Sequence, residues 1–164
     1  MIARSRGPRF LAQEDIAALV VASLFRGATM KHYQLGPFVI MPNHVHVLLL
    51  PHIHPSRLMK SLKGYTAWKA NKLLGRIGEP FWQRESYDHW IRDVEEWQRV
   101  AAYIEENPVR VGLAVHADEF PWSSANQEWR DSVGMSADVA RTSACSTYVS
   151  KSGIRCNASS GLEI

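Results

Sequence analysis

His44 and His46 are separated by a single residue, Val45. In a strand, residues two apart project from the same face, so two imidazoles at this spacing can grip one divalent cation. A second H-x-H, His52 and His54, lies between Pro51 and Pro55 and reads as loop, where side-chain geometry is not fixed. Tyr103 and Asn107 are four apart, the spacing that stacks two side chains on one face of a helix. A phenol, with a pKa of about 10, is a weak nucleophile at neutral pH. A cation held by two imidazoles and an amide oxygen keeps positions open for phosphate oxygens and water, polarises a phosphodiester and stabilises a departing alkoxide. A tyrosine beside it can then attack phosphorus and form a covalent phosphotyrosine. Taken singly, each residue also has a plain reading: two strand histidines, a half-buried tyrosine with its hydroxyl in water, and an asparagine near a helix C-terminus.

A basic stretch accompanies these groups. Residues 57–78 carry Arg57, Lys60, Lys63, Lys69, Lys72 and Arg76 and no acid. Tyr65, Trp68, Phe81, Trp82, Tyr87 and Trp90 are interleaved with or follow that charge. Cations that contact phosphates and aromatics that stack unpaired bases are the means by which proteins hold single-stranded nucleic acid.

The hydrophobic pattern shows which elements must position these residues. Ile16, Leu19, Val20 and Leu24 recur at helical spacing, predicting a helix over residues 13–26 with Gly27 as its stop. Residues 33–41 and 44–50 are apolar or rich in strand formers on either side of Pro42-Asn43, which predicts an antiparallel hairpin. A second helix is expected over residues 57–74 with Ser56 as N-cap, its basic residues toward the C-terminal end. Residues 86–92 alternate well enough for a strand. Asp93 and Glu96 form a D-x-x-E arrangement resembling a capping box at the start of a third helix. Val94, Trp97, Val100, Ala101 and Ile104 cover an arc of about 120° on that helix, with Tyr103 and Asn107 at its edge and Pro108 as the expected stop. The order helix, strand, strand, helix, strand, helix predicts an α+β fold, an antiparallel sheet with helices on one face.

The chain has 164 residues, 46% hydrophobic and 21% charged, a globular composition that excludes collagen-like sequence and wholesale disorder. The longest apolar run, residues 16–22, is far short of the roughly 20 residues of a membrane span. No apolar stretch follows the first residues, so no secretory signal is expected and the cytoplasm is the expected compartment. Cys145 and Cys156 make neither a disulfide framework nor a four-ligand zinc site. The net charge of +3 is a weak indicator of nucleic acid. Residues 126–164 include eight serines and carry no periodicity, which predicts a poorly ordered tail behind a domain spanning 1–125.

Met41-Pro42-Asn43-His44-Val45-His46-Val47-Leu48-Leu49 resembles the HUH motif of single-tyrosine transposases. Together with Ser61-Leu62-Lys63-Gly64-Tyr65-Thr66, Phe81-Trp82-Gln83-Arg84-Glu85-Ser86-Tyr87-Asp88-His89-Trp90-Ile91-Arg92, Tyr103-Ile104-Glu105-Glu106-Asn107-Pro108-Val109-Arg110-Val111-Gly112 and Phe120-Pro121-Trp122-Ser123-Ser124-Ala125, it is similar to the REP-associated tyrosine transposases of bacteria over about residues 8–125. The resemblance implies a ferredoxin-like or RRM-like core. It implies cleavage and rejoining of single-stranded DNA, typically a hairpin, through a 5′-phosphotyrosine, with Mg²⁺ or Mn²⁺. It maps the metal ligands to His44, His46 and Asn107 and the nucleophile to Tyr103. Imidazole donors suit Mn²⁺ better than Mg²⁺. The candidate DNA contacts are Lys60, Lys63, Lys69, Lys72, Arg76, Arg84 and Arg92. Such proteins act as monomers or homodimers. They usually open with a strand before the first helix; only twelve residues precede Gln13, and the expected sheet can lack that strand. Two other functions stay open: a degenerate transposase that binds hairpin DNA without cutting it, and a metal-dependent phosphodiesterase using water as nucleophile.

Overall fold

The computed structural model describes residues 8–83, 87–130 and 148–153. Arg84, Cys145 and Cys156 lie outside the described residues. The elements run α1 (Glu14–Thr29), β1 (Tyr33–Met41), β2 (His44–Pro51), α2 (Pro55–Leu73), β3 (Tyr87–Trp90), α3 (Val94–Arg110), a short α4 (Gln127–Arg130) and β4 (Tyr148–Gly153), with 3₁₀ turns at Phe10–Ala12 and Ala117–Glu119. The α+β class and the antiparallel sheet are as the sequence pattern predicts.

The hairpin forms where expected. β1 and β2 pair antiparallel across Pro42-Asn43, with Val39 opposite His46 and Met41 opposite His44. Gly36-Pro37 falls in a register shift between Leu35 and Phe38, which accommodates a proline that has no N–H to donate. Because side chains alternate, β2 sends Val45, Val47 and Leu49 to one core and Leu48 and Leu50 to another.

The layers differ from expectation. α1 and α2 pack on the face of Val45, Val47 and Leu49, through Ile16, Val20, Leu24, Leu58 and Ala70. α3 packs on the opposite face, where Trp97, Ala101 and Ile104 meet Val39, Met41, Leu48 and Leu50. Helices therefore cover both faces rather than one. Both faces of the hairpin are apolar, apart from the histidines, and each needs a partner layer.

Three expected helix boundaries also move. α1 continues through Gly27 to Thr29. Gly27 acts as a notch, because a Cβ there would clash with the phenol of Tyr33, closest to its hydroxyl oxygen. The Tyr33 hydroxyl donates to the Leu24 carbonyl at 2.7 Å, and burial pushes its pKa up. Ser56 is not the N-cap of α2. That position is His54, Pro55 opens the helix, and Ser56 pairs instead with the His54 ring at 2.8 Å. α3 runs through Pro108. The missing N–H deprives only the Ile104 carbonyl, and the last turn closes through Val111 N–H to Asn107 O and Leu113 N–H to Pro108 O.

The sheet order is β1-β2-β4-β3. Among the described residues no strand precedes α1. β4, from the segment expected to be poorly ordered, stands between β2 and β3 and pairs antiparallel with both. Its register sets Gly153 opposite His44 and Lys151 opposite His46. On the other side, the Phe120–Ala125 motif covers the outer edge of β1: Ile40 N–H donates to Trp122 O and Ser124 N–H to Phe38 O, both at 2.9 Å, and Phe38 N–H donates to Ser124 Oγ at 3.0 Å. The histidine strand is thus interior to the sheet, and the edge of its β1 neighbour is occupied.

Among the described residues, β2 and β3 are joined through β4. A chain ending after Arg130 should lose about 1 kcal/mol of stability per ladder hydrogen bond removed. Hydrogen exchange checks this: the β2 amides facing β4 should lose protection, while the β1–β2 ladder keeps most of its own.

Candidate functional site

Strand alternation places His44 and His46 on the α3 face of β2. His46 is buried and His44 partly so. Their Nε2 atoms are 3.1 Å apart, and the rings meet edge to face with centroids 4.8 Å apart. The His44 Nδ1 faces Asn43 Oδ1 at 2.8 Å.

α3 brings the other two candidates to the same place. Asn107, at the edge of the apolar arc, is buried, and its amide nitrogen lies 3.4 Å from His46 Nε2. Tyr103, one turn earlier and farther from the arc, is 43% exposed. Its ring packs edge to face on His46, centroids 5.6 Å apart. Residues from a hairpin and from a helix about 60 positions later therefore converge, with the phenol at the open side. His52 and His54 do not converge: His52 Nδ1 meets Lys31 O at 3.0 Å and His54 Nδ1 meets Ser56 Oγ.

The donor set suits a divalent ion. Two nitrogens bound to one ion at about 2.0–2.1 Å, at a right angle, stand about 3 Å apart, which is the separation of the two Nε2 atoms. Among the described residues no group of three or more His, Cys, Asp or Glu side chains gathers. The third protein donor available is thus the Asn107 amide, whose oxygen reaches the His46 side by a half-turn of the amide group.

The start of α3 is fixed by charge. Asp93 caps the helix, accepting from Glu96 N–H at 2.7 Å. The buried Glu96 carboxylate accepts from Arg92 N–H at 2.7 Å and from the Arg92 guanidinium at 3.3 Å, and it pairs with His89 Nε2 of β3 at 2.9 Å. These hydrogen bonds, that from the Arg92 side chain foremost, hold the Glu96 pKa down to about 2.

The predicted DNA contacts divide into groups. Lys60, Lys69 and Lys72 lie on α2, with Lys60 and Lys72 exposed and Lys69 partly so. The Lys69 ammonium is 5.4 Å from the Trp68 ring centroid and 6.0 Å from that of Tyr65, and Lys72 is 6.0 Å from Trp68. Trp68 itself is 56% exposed. Lys63 donates to Gln83 O at 3.2 Å. Arg76 is engaged by Glu79 and stacks over Phe10 at 4.4 Å. Arg92 is held by Glu96. This α2 patch is on the side of the sheet opposite His44, His46 and Tyr103. Phe81 is core and Trp82 is anchored to Thr66 at 2.8 Å, so neither stands ready to stack a base.

Sequence reasoning missed Arg26 and Arg110. Arg26 joins the α2 patch from α1, 5.3 Å from the Tyr65 ring; nothing in the α2 spacing could reveal it. Arg110 lies 5.3 Å over the Tyr103 ring and 3.8 Å from Glu106. Its place two turns beyond Tyr103 was the available signal.

A family model described as "Transposase IS200 like" matches residues 6–107, well over half of the chain and all four converging residues. The chain belongs to that family. It is thus a transposase-like, DNA-processing protein, and DNA is its partner. No match was found among curated proteins or among solved structures. Among the described residues no helix is long and apolar enough to cross a membrane.

Because the Glu96 pKa is depressed, its stabilisation is complete above the ordinary carboxylate value of 4.5 and is lost as pH falls from there toward about 2. Acid unfolding of the wild type and Glu96→Gln should show this. The wild type is expected to lose stability steeply across that window, and the variant to start less stable with a shallower dependence.

Proposed function

We propose that the protein cleaves and rejoins single-stranded, hairpin-forming DNA in the manner of the REP-associated tyrosine transposases, with Tyr103 as nucleophile. The observation that carries this reading is the convergence of His44, His46, Asn107 and Tyr103. His44 and His46, with the Asn107 amide, would hold a divalent cation, Mn²⁺ or Mg²⁺, which supplies polarisation of the phosphodiester. The Tyr103 hydroxyl then attacks phosphorus. A Tyr103 Oη–P bond forms, the P–O3′ bond breaks, and the phenol's proton ends on the departing 3′ oxygen. The result is a 5′-phosphotyrosine and a free 3′-OH. Packing on His46 holds the Tyr103 ring in place, while its partial exposure leaves the hydroxyl side open to a phosphate. Arg110, over the ring, adds positive charge where a phosphate would sit.

Lys60, Lys69, Lys72 and Trp68 would hold flanking DNA by phosphate contact and stacking. Their position across the sheet from Tyr103 means that one DNA molecule touching both must pass around the sheet. The same separation favours a second reading, a module that holds hairpin DNA without cutting it, since binding on α2 does not require the histidine face.

One assay separates the two. A single-stranded hairpin incubated with the protein and Mn²⁺ is expected to give a covalent adduct on a denaturing gel, and Tyr103→Phe is expected to bind the hairpin but give none. Binding with no adduct from the wild type would support the second reading. An adduct surviving in Tyr103→Phe would remove Tyr103 as the nucleophile.

A further inference from the structure

Asn43 occupies the two-residue link of the β1–β2 hairpin, where asparagine is an ordinary turn former. One common reason for asparagine in such a link is its tolerance of positive φ. That reason does not apply, because Lys31 is the one non-glycine residue with positive φ among those described. The side chain offers another reason. Its Oδ1 lies 2.8 Å from His44 Nδ1. With the amide in this orientation its oxygen can only accept, which assigns the proton of the neutral imidazole to Nδ1 and makes Nε2 the acceptor nitrogen. Its lone pair points at His46 Nε2, 3.1 Å away. Nε2–H is the tautomer that a free imidazole side chain prefers in water, so the bond to Asn43 reverses an intrinsic preference.

We propose that Asn43 is a positioning residue that fixes His44 as the Nδ1–H tautomer and so presents its Nε2 lone pair to the cation site. Hydrogen bonding of the outer nitrogen is the general way by which proteins orient a metal-binding histidine and raise its basicity. The consequence for metal affinity rests on the reading of His44 and His46 as a cation pair; the consequence for the tautomer does not. Asn43 touches neither substrate nor cation in this scheme and acts only through His44.

The test uses the full chain, wild type, Asn43→Ala and Asn43→Asp, with thermal unfolding to confirm that each is folded. Ring ¹⁵N chemical shifts in metal-free protein should show the wild-type His44 protonated on Nδ1. Asn43→Ala should move the proton toward Nε2, and Asn43→Asp, which keeps an acceptor oxygen, should retain it on Nδ1. Mn²⁺ binding followed by electron paramagnetic resonance should weaken about 10–100-fold in Asn43→Ala and stay near wild type in Asn43→Asp. Aspartate also suits the turn, so the unfolding midpoints of the two variants read a loss of the turn separately from the change at the ring nitrogens. A wild-type His44 protonated on Nε2, or a tautomer unchanged in folded Asn43→Ala, overturns the proposal. If the tautomer shifts as expected but the wild type binds no Mn²⁺, the metal reading fails and the role of Asn43 on His44 stands.

Discussion

Two imidazole nitrogens held 3.1 Å apart depend on one constraint, the alternation of side chains along β2. That alternation puts His44 and His46 on the same face as Leu48 and Leu50, so the apolar contact that docks α3 also delivers Tyr103 and Asn107 to the histidines. A slip of one residue in the β1–β2 register would turn His44, His46, Leu48 and Leu50 toward the α1–α2 core instead, away from Tyr103 and Asn107. The register is protected by burial on both faces and by hydrogen bonding on both sides of the hairpin, from β4 against β2 and from Trp122 and Ser124 against β1.

α3 converts that constraint into a site. Its N-terminus is locked by Asp93 and by the Glu96 carboxylate, which gathers donors from Arg92 and from His89 on β3. Its middle is apolar and packed. Its last turn carries Asn107 and Pro108, both buried. Continuation through Pro108 matters, since Arg110 belongs to the same helix and comes to lie over Tyr103. Electrostatic locking at one end and apolar packing along the length leave the phenol as the most exposed group of the cluster.

Most of this was legible in the sequence because it rests on local periodicity. The hairpin, the Asp93 cap, the shared face of Tyr103 and Asn107 and the shared face of His44 and His46 all follow from spacing. What was not legible depends on partners distant in the chain. Gly27 looks like a stop until Tyr33 is placed against it. Pro108 looks like a stop until its distance from the helix end shows how little bonding it removes. β4 has no alternating apolar pattern to announce it; it is specified by the two strands it joins. The placing of helices on both faces follows from an apolar hairpin that no single layer can cover, a consequence of residues 33–50 that helix spacing alone does not show.

The separation of the α2 patch from the histidine face gives the protein two chemically distinct sides, one basic and aromatic, the other built around imidazoles and a phenol. The second side is expected to hold the cation. The direct measurement is anomalous diffraction from crystals of the full chain grown with Mn²⁺. One anomalous peak is expected in contact with His44 Nε2 and His46 Nε2, beside Asn107 and below Tyr103. A peak at His52 or His54 instead, or none at the four converging residues at saturating Mn²⁺, would contradict that expectation.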